Sequence, residues 1–261
     1  MDHNRAVYNE YVHEYGEYRI YPPERAVLER FKKDWPRMRM LDIGIGTGRT
    51  TYTFAAVAGE YVGIDYAEEM VRRASAIIPP SPDVTLKFLD ARDLSEFAAR
   101  PFDFVFFSMN GLDSVSHEDR ERIIREVRKI VKPTGFFCFS SHTILGFKPD
   151  PAVRPFRLTD PVRSGYYFWK DSRHRSRMRT THRGLNVAAL RKRDWEVLKT
   201  GDHNFAIDIY HVNPVFQIDR LRQMGFSIEA LYDPDGATPD PATTTADWLY
   251  YLCRPVPVAA G

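Results

Sequence analysis

Leu41-Asp42-Ile43-Gly44-Ile45-Gly46-Thr47-Gly48-Arg49 decides the reading of this chain. Three glycines at alternate positions after an acidic residue let a backbone turn approach a ligand closely. At Gly63-Ile64-Asp65 a second acidic residue stands where a second parallel strand should end. A nucleoside lying across the carboxyl ends of both strands would find its ribose beside that carboxylate. The dinucleotide fingerprint requires Gly-x-Gly-x-x-Gly, yet its sixth position is Arg49 counted from Gly44 and Thr51 counted from Gly46. The glycine that lets helix and strand pack beneath a pyrophosphate is missing in both registers, which argues against NAD or FAD.

Working outward, Val84 to Leu89 is an apolar-leaning run that ends in Asp90-Ala91-Arg92-Asp93-Leu94. Phe102 to Met109 is almost unbroken in apolar side chains, as a parallel strand covered on both faces should be. Ser116 and Asp119 form a capping-box start before a helical stripe of Ile123, Ile124, Val127, Ile130 and Val131, which Pro133-Thr134-Gly135 ends. Phe136 to Ser140 reads as a fifth strand. Pro214 to Gln223 reads as a helix stopped by Met224-Gly225, and Phe226 to Leu231 and Trp248 to Cys253 as two further strands.

The first of these segments, Asp-x-Gly-x-Gly-x-Gly followed by a carboxylate at the next strand end, resembles motif I of class I S-adenosylmethionine (SAM)-dependent methyltransferases. With the later segments in the same order, the resemblance covers most of residues 36–145 and 213–254. It implies an α/β fold: a doubly wound, mostly parallel seven-stranded sheet whose last two strands form a closing antiparallel hairpin. It also implies SAM as cofactor and S-adenosylhomocysteine as product. Carried over position by position, Asp42 would orient the amino end of SAM, Gly44, Gly46 and Gly48 would let the backbone approach, and Asp65 would bind the ribose hydroxyls. Tyr66 and Met70 would border the adenine, Asp90 and Ala91 would read its edge, and Ser108 would flank the methionine part, with Met109 and Asn110 lining the site. Several subfamilies that methylate exocyclic amino groups carry Asn-Pro-Pro-Tyr where this chain has Ser108-Met109-Asn110-Gly111, which argues against the adenine N6 and glutamine classes.

Composition agrees with one catalytic domain, since 261 residues with 43% apolar content can bury a sizeable core. No apolar run approaches the length of a membrane span, and charges and tyrosines near the start replace the apolar core of a signal peptide, so a cytoplasmic protein, monomeric or homodimeric, is expected. Cys138 and Cys253 fall in expected core strands and form neither a disulfide framework nor a metal site. Residues 1–35 read as a helical cap, 36–145 as the cofactor-binding core, 146–212 as a substrate-covering insertion and 213–261 as the remainder of the core.

Charge singles out the insertion. Residues 151–200 hold thirteen Lys or Arg against four acids, a net +9 in a chain of +2, so the rest carries −7. There Tyr166-Tyr167-Phe168-Trp169 precedes Arg173, His174, Arg175, Arg177, Arg179, His182 and Arg183, and Trp195 to Lys199 with Phe205 to His211 reads as an antiparallel pair lying over the sheet as a lid. Alternate arginines commonly form a solvated face. They also match a carboxylate or phosphate, so Tyr167, Trp169, Arg173 and His203 are candidate substrate contacts. A second cover is the start of the chain, where Tyr8, Tyr11, Tyr15 and Tyr18 share one face of a helix. Aromatic faces attract a sulfonium by roughly 0.5–2 kcal/mol, which places Tyr8 and Tyr18 beside the cofactor and Tyr11 at the substrate.

Methyl transfer from a sulfonium asks mainly for positioning, with the nucleophile about 3 Å from the methyl group. An oxygen or neutral nitrogen must also lose a proton, for which histidine suits neutral pH. His142 at the end of the fifth strand and His211 on the lid are the candidate bases, with Tyr8 a further catalytic candidate; Asn110 and Asp113 are candidates to hydrogen-bond the substrate. The sequence thus favours methylation of a small molecule at nitrogen or oxygen, with arginines suited to an anionic group on it. The alternatives are carbon methylation of a phosphorylated or prenyl substrate, an RNA or tRNA methyltransferase using the basic insertion, and a non-catalytic nucleotide-binding partner protein.

Overall fold

Side chains alternate across each central strand, and both faces they reach are apolar. The computed structural model describes residues 2–10, 12, 19–156, 158–201 and 205–256. Along the chain run helices α1 (Asp2–Glu10) and α2 (Pro22–Arg30), strand β1 (Arg39–Ile43), α3 (Thr51–Phe54), β2 (Glu60–Asp65), α4 (Glu68–Ile77), β3 (Val84–Phe88) and β4 (Phe102–Phe107). They continue as α5 (His117–Ile130), β5 (Val131–Thr143), α6 (Pro161–Thr181), α7 (Val187–Leu190), β6 (Trp195–Lys199), β7 (Asp208–Val212), α8 (Pro214–Gln223), β8 (Phe226–Tyr232) and β9 (Trp248–Pro255). Leu41, Ile43, Val105, Phe107, Phe137 and Phe139 pack on one face with α5 and α8. Met40, Phe104, Phe106, Cys138 and Tyr250 pack on the other with Val27, Phe31, Trp35 and Phe54. Two buried faces explain why these strands read as continuous apolar runs.

The core sheet has the order β3-β2-β1-β4-β5-β9-β8, parallel from β3 to β5 and antiparallel for β5–β9 and β9–β8. These are the expected seven strands, but among the described residues the sheet has nine. The expected lid pair β6–β7 is antiparallel as read, yet it does not lie over the sheet; β7 joins β5 in parallel at His142↔His211 and Thr143↔Val212. The cause is a length mismatch. β4 accompanies β5 only as far as Phe107↔Phe139, while β9 holds the opposite edge as far as His142↔Trp248. The rest of β5 has backbone groups still to satisfy along the edge β4 has left, and β7 takes them. β5 also begins earlier than expected: Val131 pairs with Phe102, and the Pro133–Gly135 turn sits inside the strand as a register shift.

α5 starts where its sequence says, with the Ser116 hydroxyl accepting the Asp119 N–H. It carries a buried cation. Arg120, 2% exposed, pairs with Asp113, donates to Ser141 Oγ (3.0 Å) and Gln217 Oε1 (2.9 Å), and lies over the Tyr210 ring. α6 is different: of its 21 residues only Met178 is buried, against Ile144, Phe147, Leu190 and Leu198. Among the described residues no helix is long and apolar enough to cross a membrane. Because removing one partner leaves the other charge buried and unpaired, Arg120→Met should lower the unfolding free energy by about 3–5 kcal/mol in urea titrations; a loss below about 1 kcal/mol would show that Asp113 does not depend on it.

Candidate active site

Beyond the carboxyl ends of β1, β2 and β4 lies a cleft whose floor is the glycine-rich turn, and this turn is built by its backbone. Gly44 (φ +69°) and Gly46 (φ +55°) hold left-handed conformations that favour glycine. A Cβ on Gly44 would stand 2.7 Å from Phe107 Cε2, and one on Gly111, across the same ring, 2.5 Å from that atom. A Cβ on Gly46 would meet nothing within 4 Å, so the Gly46 backbone faces open cleft and a ligand can lie against it. Gly48 has another task. It does not line the cleft; its φ of +96° turns the chain toward α4, where a Cβ would touch Ala74 and Ile78.

Asp65 ends β2 at the cleft wall, with one carboxylate oxygen accepting Gly46 N–H (2.9 Å) and the other Ala67 N–H (2.8 Å). Burial raises its pKa to about 6 against the pull of those amides. Tyr66 and Met70 line the cleft beside it, and the Tyr66 hydroxyl is buried without a hydrogen-bond partner among the described residues. Ala91 also lines the cleft, with Asp90, whose carboxylate is held by the Arg92 side chain (Nη2 2.6 Å) and backbone N–H (2.9 Å). Burial would raise the Asp90 pKa, but the Arg92 hydrogen bonds hold it below its ordinary value. Asp42 departs from its expected role. It lies beneath the turn and outside the cleft, accepting the Thr50 and Tyr61 hydroxyls at 2.6 and 2.7 Å, with its pKa raised to about 7 by burial and its other oxygen unpartnered.

Ser108 lines the cleft at the end of β4, where it meets a buried network that the sequence did not reveal. Glu24, fully buried, receives Arg49 bidentately (2.6 Å to each oxygen), and the Ser108 and Tyr250 hydroxyls join the pair. Burial would raise the Glu24 carboxyl, but Arg49 outweighs it and holds it below the usual range. Arg49 follows Gly48 directly and could have signalled this; Glu24 begins an ordinary-looking helix and could not.

After β4, Met109 (φ +50°) and Asn110 (φ +58°) are consecutive left-handed residues that turn the chain back toward β5. Met109 lines the cleft; Asn110 lies just off it, its N–H on Ser140 Oγ (2.7 Å) and its Nδ2 3.3 Å from His142 Nε2. Asp113, expected at the substrate, is instead fully buried, with Arg120 and Ser141 on Oδ1 and His142 N–H (2.6 Å) and Nδ1 (2.8 Å) on Oδ2. Burial would raise it, but the Arg120 charge and the His142 hydrogen bonds keep it ionised. His142 is thus oriented by a carboxylate, with Nδ1 donating and Nε2 turned to Asn110. His211, its neighbour on β7 at 5.1 Å between rings, is buried against Phe147, and burial lowers its pKa to about 4. It is neutral at physiological pH and lies outside the cleft lining, as does His142.

Tyr8 reaches the cleft from α1, its hydroxyl 2.7 Å from Ser114 Oγ and its ring edge-on to Tyr66 at 6.3 Å. Tyr11, Tyr15, Tyr18 and His203 lie outside the described residues. Tyr167, Trp169 and Arg173, expected at the substrate, do not line this cleft. They sit on α6, where Arg154 stacks on Tyr167 (4.2 Å) and Arg173 on the exposed Trp169 (5.5 Å). The buried residue of this helix is Met178, which packs with Ile144, Phe147, Leu190 and Leu198. No group of three or more candidate metal ligands occurs among the described residues. The open Gly46 backbone, the Asp65 carboxylate and the unpartnered Tyr66 hydroxyl together fit a nucleoside.

Residues 40–135 match the family model described as methyltransferase domain. The chain is 30% identical over 131 residues to an uncharacterized methyltransferase, YcgJ, of Bacillus subtilis, covering 47% of this chain and 49% of that protein. It spans about half the length of the bacterial curated relatives it matches. Among solved structures, the CcbJ methyltransferase from Streptomyces caelestis aligns with a TM-score of 0.59 at 13% identity, covering 95% of this chain and 96% of that one. The glycopeptide N-methyltransferase MtfA, complexed with S-adenosylhomocysteine, aligns at 0.57 and 14% identity, covering 92% of each. The likeness to these two structures is one of fold. The matched domain spans β1 to the first part of β5, the strands around which this sheet is ordered, and the fold is that of class I SAM-dependent methyltransferases.

Proposed function

We propose that the protein transfers a methyl group from SAM to a nitrogen or oxygen of a small molecule. The observation that carries this reading is the cleft over Gly46, lined by Asp65, Tyr66, Ala91, Ser108 and Met109. In it, Asp65 accepts ribose hydroxyls, Tyr66 and Met70 border the adenine, Asp90 and Ala91 read its edge, and the Tyr8 ring faces the sulfonium end. SAM supplies an electrophilic methyl group; the chain supplies placement and a route for the proton. His142, fixed by Asp113, takes the proton from the acceptor at Nε2, and the Asp113 carboxylate stabilises the resulting imidazolium. Asn110, whose side chain meets that nitrogen, directly follows the cleft-lining Met109. A small acceptor is favoured over RNA because guanidinia of the insertion are engaged internally: Asp150 holds Arg175 and Arg179, and Asp171 holds Arg154.

Asp65→Ala should weaken binding of S-adenosylhomocysteine at least tenfold by calorimetry while leaving the melting temperature within a few degrees, and equal affinity would remove the ribose assignment. For the wild type, the ionised Asp65 accepts hydroxyl protons, so affinity should be full above the raised pKa of about 6 and decline as pH falls through it. A flat profile between pH 7 and 5 would show that another group holds the ribose. His142→Gln should reduce methyl transfer to a metabolite pool by roughly 10²–10⁴-fold without changing S-adenosylhomocysteine affinity; undiminished transfer would rule the imidazole out as base.

A further inference from the structure

The Asn110 side chain is more than nine-tenths buried, and its Oδ1 has no hydrogen-bond partner among the described residues. A buried acceptor left this way costs about 1–3 kcal/mol, and the left-handed backbone that places it adds strain. Its orientation is not free. Asp113 accepts from His142 Nδ1, so the neutral ring bears its hydrogen there and Nε2 is an acceptor, which draws the carboxamide Nδ2 toward it. Reversing the carboxamide would need hydrogens on both ring nitrogens, that is, an imidazolium. With the ring neutral, Nδ2 rather than Oδ1 faces the imidazole, and two acceptors flank the amide nitrogen: Oδ1, unfilled, and Nε2, held by a long 3.3 Å contact. The imidazole is 20% exposed while Oδ1 is buried, so the pair is approached from the imidazole side.

Resting on the methyl-transfer reading, we propose that Asn110 and His142 form a two-point clamp that selects a primary amine as the methyl acceptor. One N–H is given to Oδ1 and another to Nε2, displacing the weak amide contact. A hydroxyl has one hydrogen and leaves one acceptor unfilled; a carboxylate has none and meets two lone pairs. In the transfer, the amine lone pair forms the new N–C bond as the C–S bond of the sulfonium breaks and the sulfide leaves with its electrons. The proton then in excess on nitrogen passes to Nε2. The charged and titratable groups around the clamp are Asp113 on the turn after β4, Arg120 on α5 behind it and His211 on β7, which is neutral above its lowered pKa. Asn110 is in this account a specificity residue that touches the acceptor.

The test needs no natural substrate. The full chain, labelled with ¹⁵N-histidine and assigned through His142→Gln, is titrated with methylammonium chloride and separately with methanol, at constant ionic strength, with and without S-adenosylhomocysteine. Methylammonium should shift the His142 Nε2 resonance saturably and methanol should not. Asn110→Gly accepts the positive φ without strain and removes the carboxamide, so it should weaken the methylammonium response at least tenfold, while Asn110→Asp, which keeps an acceptor, should restore it. An equal response to methanol, an unchanged response in Asn110→Gly, or no saturable response to methylammonium would overturn the clamp. Calorimetry with S-adenosylhomocysteine on the same samples separates the two ideas: if the nucleoside fails to bind, the methyl-transfer reading falls, and the nucleoside-free titration still decides the clamp.

Discussion

A single buried carboxylate ties together the turn after β4, α5 and β5. Asp113 binds Arg120 from α5, the Ser141 hydroxyl and His142 backbone from β5, and the His142 ring. Arg120 in turn reaches Gln217 on α8 and stacks on Tyr210 of β7. An ionised pair out of water is tolerated only when its remaining donors and acceptors are filled, and here several are filled from separate elements. The same bonds that satisfy the charges therefore fix the turn after β4 relative to β5. The imidazole tautomer and the carboxamide orientation follow from that.

The cofactor half and the acceptor half are built by different means. Around the nucleoside the chain uses backbone: positive-φ glycines, amides from Gly46 and Ala67 on Asp65, and strand ends in register. Around the proposed acceptor position it uses side chains on a turn whose two left-handed residues are not glycine. Burial acts oppositely on the titratable groups of the two halves. It raises Asp42 and Asp65 toward neutrality, while Asp113 stays ionised because a guanidinium is buried with it.

This division also explains what could be read from the sequence. Gly44, Gly46, Asp65, Tyr66, Met70, Ala91 and Ser108 are local features of strand ends, and strand ends converge whenever the strand order is right. Gly48 and Asp42 belong to the same motif but serve packing and the underside of the turn, a distinction only the direction of a Cβ or a carboxylate reveals. Asp113 was legible as a polar residue after β4; its burial depends on Arg120 and Ser141, which no spacing joins to it. The β6–β7 pair was legible as a hairpin, but its position in the sheet depends on β5 outrunning β4, and periodicity shows each strand without showing where a neighbour stops. The aromatic run of α6 has helical spacing whichever way it faces, so its place away from the cleft could not be read.

Phe107 belongs to both regions: its ring leaves no room for a side chain at Gly44 in the glycine-rich floor or at Gly111 on the turn after β4. One aromatic side chain therefore sets how closely the floor and that turn approach, and enlarging either glycine would have to displace it.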